Sequence, residues 1–358
     1  MLLNQLFEYQ DLESEKQNII AKISGLSAEN EDDAALLDRI YKVLNSGNIG
    51  NNIQNALVPP SADELMTDAE VNAHRQEITK IISNLDANYG NLSKFLNKLE
   101  AGGVVNVAEL KKPLTSLSAI FNNDPLALKA FVALVRYGVG IKQKGPGEFG
   151  LAMLSNKVRL AAGEGDLEVD GIGKVELKVA TGKAGGRIGY GGSSQKSRRA
   201  TIDKYAEQIP TVISKIGGAG GSLGLVPFMD GLNQDLPPND PNNQKLRKQI
   251  ALELFAPDLE KFAEPVADAV AKQTAAGAVE QEYVKQNFLW YKNRDDFDAL
   301  LVMTIPVGKS SMMRNENDAV QFRTGGHSQS TSISIIPTQA GAGREQWAQL
   351  THNAAKVK

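Results

Sequence analysis

The chain has 358 residues, 42% of them apolar and 23% charged, the proportions of a globular protein with a sizeable core. Thirty-nine Lys and Arg stand against 42 Asp and Glu, a net charge of -3, so no global basic field points to a nucleic-acid partner. Cysteine is absent, which excludes disulfides, zinc-thiolate sites, iron–sulfur clusters and thiol nucleophiles, and three His (His74, His327, His352) make a poor basis for a metal centre. No apolar run reaches the roughly 20 residues of a membrane-spanning helix. The start, MLLNQLFEYQDLESEK, turns acidic before a signal-peptide core develops, so the expectation is a soluble protein with no membrane partner.

Residues 1–135 carry a net charge of -7 and read as helices. Leu2 to Leu12 and Ile19 to Leu26 recur mostly at three- and four-residue spacing. A helix follows over Asp32–Leu44, stopped by SGNIGNN. Ser61 and Glu64 fit a capping box ahead of an amphipathic helix over Glu70–Leu85. Leu92–Leu99, Asn106–Ile120 and Asp124–Val139 complete the set, the last with an Asp-Pro start suited to a cap. No catalytic constellation lies here; the region reads as a helical docking or assembly domain, or as a plain scaffold.

Between residues 138 and 192 the texture changes, with 15 Gly in 55 positions, and residues 136–210 have a net charge of +5. Strands are expected at 158–161, 165–170, 174–180, 298–305 and 330–336. Residues 201–290 read as a largely helical insertion, broken at Pro257 and Pro265, where the N–H that a helix interior needs is missing.

The chemistry concentrates in residues 144–189. Period-two alternation puts Asp166, Glu168 and Asp170 on one face, then Lys174, Glu176 and Lys178 on one face of the next run, with Asp170-Gly171 as a hairpin signal. If Asp170 sits opposite Lys174, Glu168 faces Glu176. Like charges facing across a sheet destabilise it, so that face is either fully wet or neutralised by a cation. Hard Mg²⁺ prefers carboxylate oxygens, and a neighbouring Lys could orient or deprotonate an attacking water. Upstream, the helical pattern opening at Glu148 after Gly145-Pro146-Gly147 could bring a further carboxylate.

Asp166 followed ten positions later by Glu176-Leu177-Lys178, with Glu148 on a preceding helix and an apolar strand over Val175–Ala180, resembles the signature of the PD-(D/E)xK nuclease superfamily. Gly165 stands where that signature has Pro. The resemblance implies an α/β restriction-endonuclease-like mixed-sheet core over 136–358, preceded by the all-helical domain 1–135. It implies Asp166 and Glu176 as ligands of Mg²⁺ (or Mn²⁺), Glu148 in support and Lys178 on the water, with Glu168 a rival for Asp166. The implied activity is endonucleolytic hydrolysis of double-stranded DNA.

Arg187, Lys196, Arg198 and Arg199 follow the hairpin among glycines and serines, the composition of a loop that holds a phosphate backbone. A solvated loop is the alternative. Tyr205 and Lys204 could face DNA or merely solvent. Trp290 and Tyr291 read as anchors of a helix end, His327 as structural. Gly217–Gly221 and Val307-Gly308-Lys309-Ser310 lack the spacing of a phosphate-binding loop and read as ordinary turns. The Cys-free, glycine-rich chain with its helical front is similar to proteins encoded by double-stranded DNA phages, which would place it in the bacterial host cytoplasm or the virion, with phage structural proteins as partners of the front domain. Two other classes stay open: a virion structural or assembly protein with a nuclease-like core, and a non-catalytic DNA-binding module.

Overall fold

The computed structural model describes residues 31–45, 50–51, 68–86, 88–138, 145–161, 165–181, 194–218, 220–328, 333–337 and 350–353. The expected helices before residue 27, the Ser61 box and Arg187 lie outside them. The architecture is α/β: a helical N-terminal stretch gives way to a region of mixed strands and helices. The chain forms two compact units, residues 1–110 with 116–172, and residues 111–115 with 173–358. The expected boundary at 135/136 therefore falls inside the first unit.

In the first unit α1 (Glu31–Asn45), α2 (Asp68–Ser83) and α3 (Tyr89–Glu100) follow the expected periodicity. They bury Leu37, Ile40, Ile78, Ile82, Leu92 and Leu96. The helix expected over Asn106–Ile120 is instead α4 (Val107–Leu110), a two-residue strand β1 (Thr115–Ser116) and α5 (Leu117–Ile120). Pro113 explains the break, since it can neither donate to the helix ladder nor clear the preceding turn. The Ser116 hydroxyl then restarts the helix by accepting the Ala119 N–H at 3.0 Å. Asp124 caps α6 (Pro125–Tyr137) as expected, accepting the N–H groups of Leu126 and Ala127. Helix α7 (Pro146–Met153) packs on α6 and on β2 (Val158–Leu160), which pairs antiparallel with β3 (Leu167–Val169). That packing is what carries the first unit beyond residue 135.

The second unit is built on β4 (Gly173–Ala180). Gly173 has φ +102, and a Cβ there would meet the Asp298 carboxylate, which accepts the Lys174 N–H at 2.9 Å, so only glycine fits this strand entry. In chain order there follow α8 (Gln195–Asp203), α9 (Pro210–Ser214), β5 (Leu223–Gly224), α10 (Leu225–Asp235), α11 (Pro241–Leu259), α12 (Ala263–Lys272) and α13 (Ala276–Asp295). Strands β6 (Ala299–Thr304) and β7 (Lys309–Met313), helix α14 (Glu316–Thr324) and strand β8 (Ser334–Ile336) complete the unit. β4 pairs parallel with β6, Glu176 beside Leu300 and Lys178 beside Val302, and β6 pairs antiparallel with β7. Every residue of β6 is buried, so both of its faces are covered.

Three expectations are corrected here. The helical break comes at Glu260, whose φ is +52, rather than at the two prolines. Pro257 lies in the last turn of α11, and Pro265 lies in the first turn of α12, where N–H groups have no intrahelical acceptor. β8 pairs with β5 in a separate two-stranded sheet instead of joining β4 and β6. Lys309 and Ser310, read as part of a turn, open β7.

His352 fastens residues 350–353 to this sheet. Its ring is buried, with Nδ1 2.7 Å from Thr304 Oγ1 and Nε2 2.8 Å from Ser311 Oγ, and Phe322 meets it edge-on. Burial, reinforced by His327 and Lys309, lowers its pKa to about 4. The folded state therefore holds the neutral ring, while the unfolded chain takes up a proton near pH 6.5. The unfolded state binds more protons in this window, so stability is full above about pH 6.5 and falls as pH drops toward 4, by about 3 kcal/mol in all. Urea melts across this range should show that loss, and His352→Gln should flatten it.

Candidate active site

The four residues of the nuclease-like motif divide between the units, Glu148 and Asp166 in the first, Glu176 and Lys178 in the second. Glu148 is the third residue of α7. Its carboxylate reaches back to the Gly145 N–H at 2.5 Å, half of a capping box, and a side chain at Gly145 would collide with it. Asp166 directly precedes β3 and is half-buried; its carbonyl accepts the Ala161 N–H.

The acidic row on β3 has a cation that the sequence reading missed. Arg159, paired with Glu168 across β2 and β3, lies 2.9 Å from Asp170 and 3.8 Å from Glu168. These groups are about half exposed, so the pairs contribute little stability, yet they supply the neutralising charge that had been sought in a metal. Glu168, the rival ligand, is thereby engaged. Lys174, expected opposite Asp170, pairs with Asp296 at 2.5 Å.

On β4 the motif is compact. Glu176 is buried, and its Oε1 accepts a hydrogen bond from the Lys178 ammonium and another from the Tyr291 hydroxyl at 2.5 Å. Two residues apart on one strand, Glu176 and Lys178 share a face, as the alternation predicts. Among the described residues every hydrogen bond to Glu176 falls on Oε1, which leaves Oε2 as the oxygen open to a further partner. Tyr291 comes from α13 and gathers the cluster: Lys178 lies 5.8 Å and Arg294 5.0 Å from the centre of its ring, while Arg294 also covers Trp290. Trp290 and Tyr291 thus anchor the end of α13, and Tyr291 and Arg294 join the site without having been named for it. The only sequence trace was the run WYKNR, with aromatics beside bases. Among the described residues no three of His, Cys, Asp and Glu are grouped to hold a metal ion.

The basic segment is largely reassigned. Ser194 caps α8, so Lys196, Arg198 and Arg199 sit on a helix. Arg198 is fully buried: it forms an ion pair with Asp258, donates to the Ile335 carbonyl at 3.0 Å and stacks toward Phe255, so it cannot reach a phosphate backbone. Arg199 pairs with Asp203 one turn on at 2.8 Å, and Lys196 is exposed. Lys204 and the Tyr205 hydroxyl both bind Glu253, and Tyr205, buried and beside that carboxylate, has its pKa pushed up to about 12. Lys204 faces solvent, as the alternative reading of this helix had it, whereas Tyr205 is buried.

No known protein family, curated protein or solved structure matches the chain. No helix among the described residues is long and apolar enough to cross a membrane.

Arg198→Met should cost about 3–5 kcal/mol in urea unfolding, because Asp258 would remain buried without its partner. The double variant Arg198→Met/Asp258→Leu should recover most of that loss, whereas Lys196→Ala should change stability by less than about 0.5 kcal/mol.

Proposed function

We propose that the chain is a metal-dependent endonuclease of the PD-(D/E)xK type acting on double-stranded DNA. The observation that carries this reading is the Lys178 ammonium lying on Glu176 at the buried centre of β4, with Oε2 left open. Glu176 offers a carboxylate oxygen, the donor type that a hard cation prefers. When bound, Mg²⁺ or Mn²⁺ would supply charge against the scissile phosphate and lower the pKa of a bound water.

The chain's own groups have separate tasks. Lys178 orients the attacking water and balances charge on the phosphate as the water adds and a P–O bond breaks. Tyr291 fixes the Glu176 carboxylate through Oε1, so that its other oxygen keeps one orientation. Arg294, held against the Trp290 and Tyr291 rings, is paired with Asp295 through two hydrogen bonds of 2.5 and 2.7 Å, so its charge is already balanced within the helix end. Lys196 is the exposed base of α8 available for a second phosphate contact.

A structural or assembly role in a phage particle is the second reading. It is favoured by the internal pairing of the acids, Glu176 with Lys178 and Tyr291, and Asp170 with Arg159.

Supercoiled plasmid separates the two. The nuclease reading requires nicking with Mg²⁺ or Mn²⁺ and none in EDTA, abolished by Glu176→Gln and reduced by about a hundredfold or more in Lys178→Met. A folded wild-type protein that leaves DNA intact with both metals supports the structural role. Lys196→Glu should weaken DNA binding across sequences and flatten its salt dependence, since a phosphate contact carries no base information.

A further inference from the structure

Residues 350–353 lie across one end of the sheet face that carries Glu176 and Lys178. Alternation along β4 puts Glu176, Lys178 and Ala180 on that face. The register extends it through Leu300, Val302 and Thr304 of β6 to Met313, Ser311 and Lys309 of β7. Thr304 and Ser311 are the residues that the His352 ring meets, so the ring lies over this face at the rows of Lys178 and Ala180. The segment is fastened at this one residue. The His352 N–H donates to Thr304 Oγ1 at 3.0 Å, and its backbone bridges Ser328. Beside it, the Asn353 N–H donates to the His327 carbonyl at 3.0 Å, and Leu350 is buried. A four-residue segment fastened chiefly at one residue belongs to the low-stability end of a fold, and it can open while β6, paired on both edges, stays closed.

The surroundings of the ring suit a neutral imidazole. Its hydrogen-bond partners are two hydroxyls, and Phe322 of α14 covers it edge-on. From β7, Lys309 stands cross-strand from Thr304 on the same face, and it and His327 both oppose a positive charge on the ring. β6 carries no charged residue. On α14, Asp318 accepts the Arg314 N–H and Arg323 pairs with Glu280. Among the described residues no carboxylate lies within hydrogen-bond or ion-pair reach of the ring.

We infer that residues 350–353 are a strap that acid releases: proton uptake by His352 breaks its hold on Thr304 and Ser311, and the segment leaves β6 and β7 while the rest of the unit stays folded. Release uncovers the sheet face beside Lys178. The docked ring, buried among hydroxyls and cations, resists a charge that burial makes costly. In the released strap the ring is solvated and takes up a proton near pH 6.5. The released form binds more protons than the docked one, so opening grows as pH falls below about 6.5. The inference is independent of the nuclease reading, because it rests on the packing of the segment alone.

Amide hydrogen exchange on the full chain between about pH 7 and 4.5, corrected for the intrinsic rate at each pH, tests it. Protection of the His352 and Asn353 amides should fall about tenfold per pH unit below about 6.5 and stay well below that of the β6 amides throughout. Dilute urea should speed exchange in β6 and leave these two amides unchanged, since a local opening exposes little surface. His352→Gln should remove the pH dependence. Thr304→Val, which deletes the acceptor of the His352 N–H, should lower the protection of both amides by about tenfold at neutral pH with β6 still protected. Protection of the two amides that stays constant across the pH range overturns the inference. Exchange at the same rate and with the same urea dependence as β6 also overturns it, because the segment would then open only with the whole unit.

Discussion

The second unit depends on burying β6 on both faces. A strand reading Ala-Leu-Leu-Val-Met-Thr with every residue covered cannot end a sheet or face water, so it needs a neighbour on each edge and a layer on each side. β4 and β7 supply the edges, and α13, with Val279, Tyr283, Phe288 and Tyr291 buried, belongs to the cover. The same constraint fixes the chemistry. A parallel register places Glu176 beside Leu300, where a carboxylate is costly unless partnered. Lys178 and Tyr291 meet that need, so the helix that closes the core also sets the orientation of the central acid.

Much of this was legible in the sequence because it is local. The helices α1, α2, α3 and α6 follow from three- and four-residue apolar spacing, and the cap at Asp124 from an Asp-Pro pair. The shared face of Glu176 and Lys178 follows from period-two alternation. The illegible parts are set by partners distant in the chain. Arg198 reads as one more base in a glycine- and serine-rich stretch; only Asp258, sixty residues on, turns it into a core residue. Arg159 was passed over because it sits on a short strand, β2, for which the sequence named no partner. Pro257 and Pro265 misled for a different reason, since a proline's effect depends on its distance from a helix end, and that end is fixed by the left-handed residue Glu260.

Charge patterning was informative at the scale of segments and misleading at single residues. The acidic front and basic middle are real features of composition. Yet among the described residues several bases of the middle are used internally, Arg198 on Asp258, Arg199 on Asp203 and Arg159 on Asp170.

The assignment of residues 111–115 to the second unit has a consequence for how the chain is made. The polypeptide leaves the first unit after Leu110, contributes five residues to the second, returns at Ser116 and departs again after Ile172. The carbonyl of Lys112 accepts the Met312 N–H, and that of Lys111 the Arg314 guanidinium. During synthesis these acceptors emerge some two hundred residues ahead of their donors. The segment can make these hydrogen bonds only once β7 and the residue after it have been synthesised. A single backbone cut after Ile172 would leave the first unit whole but would take residues 111–115 from the second.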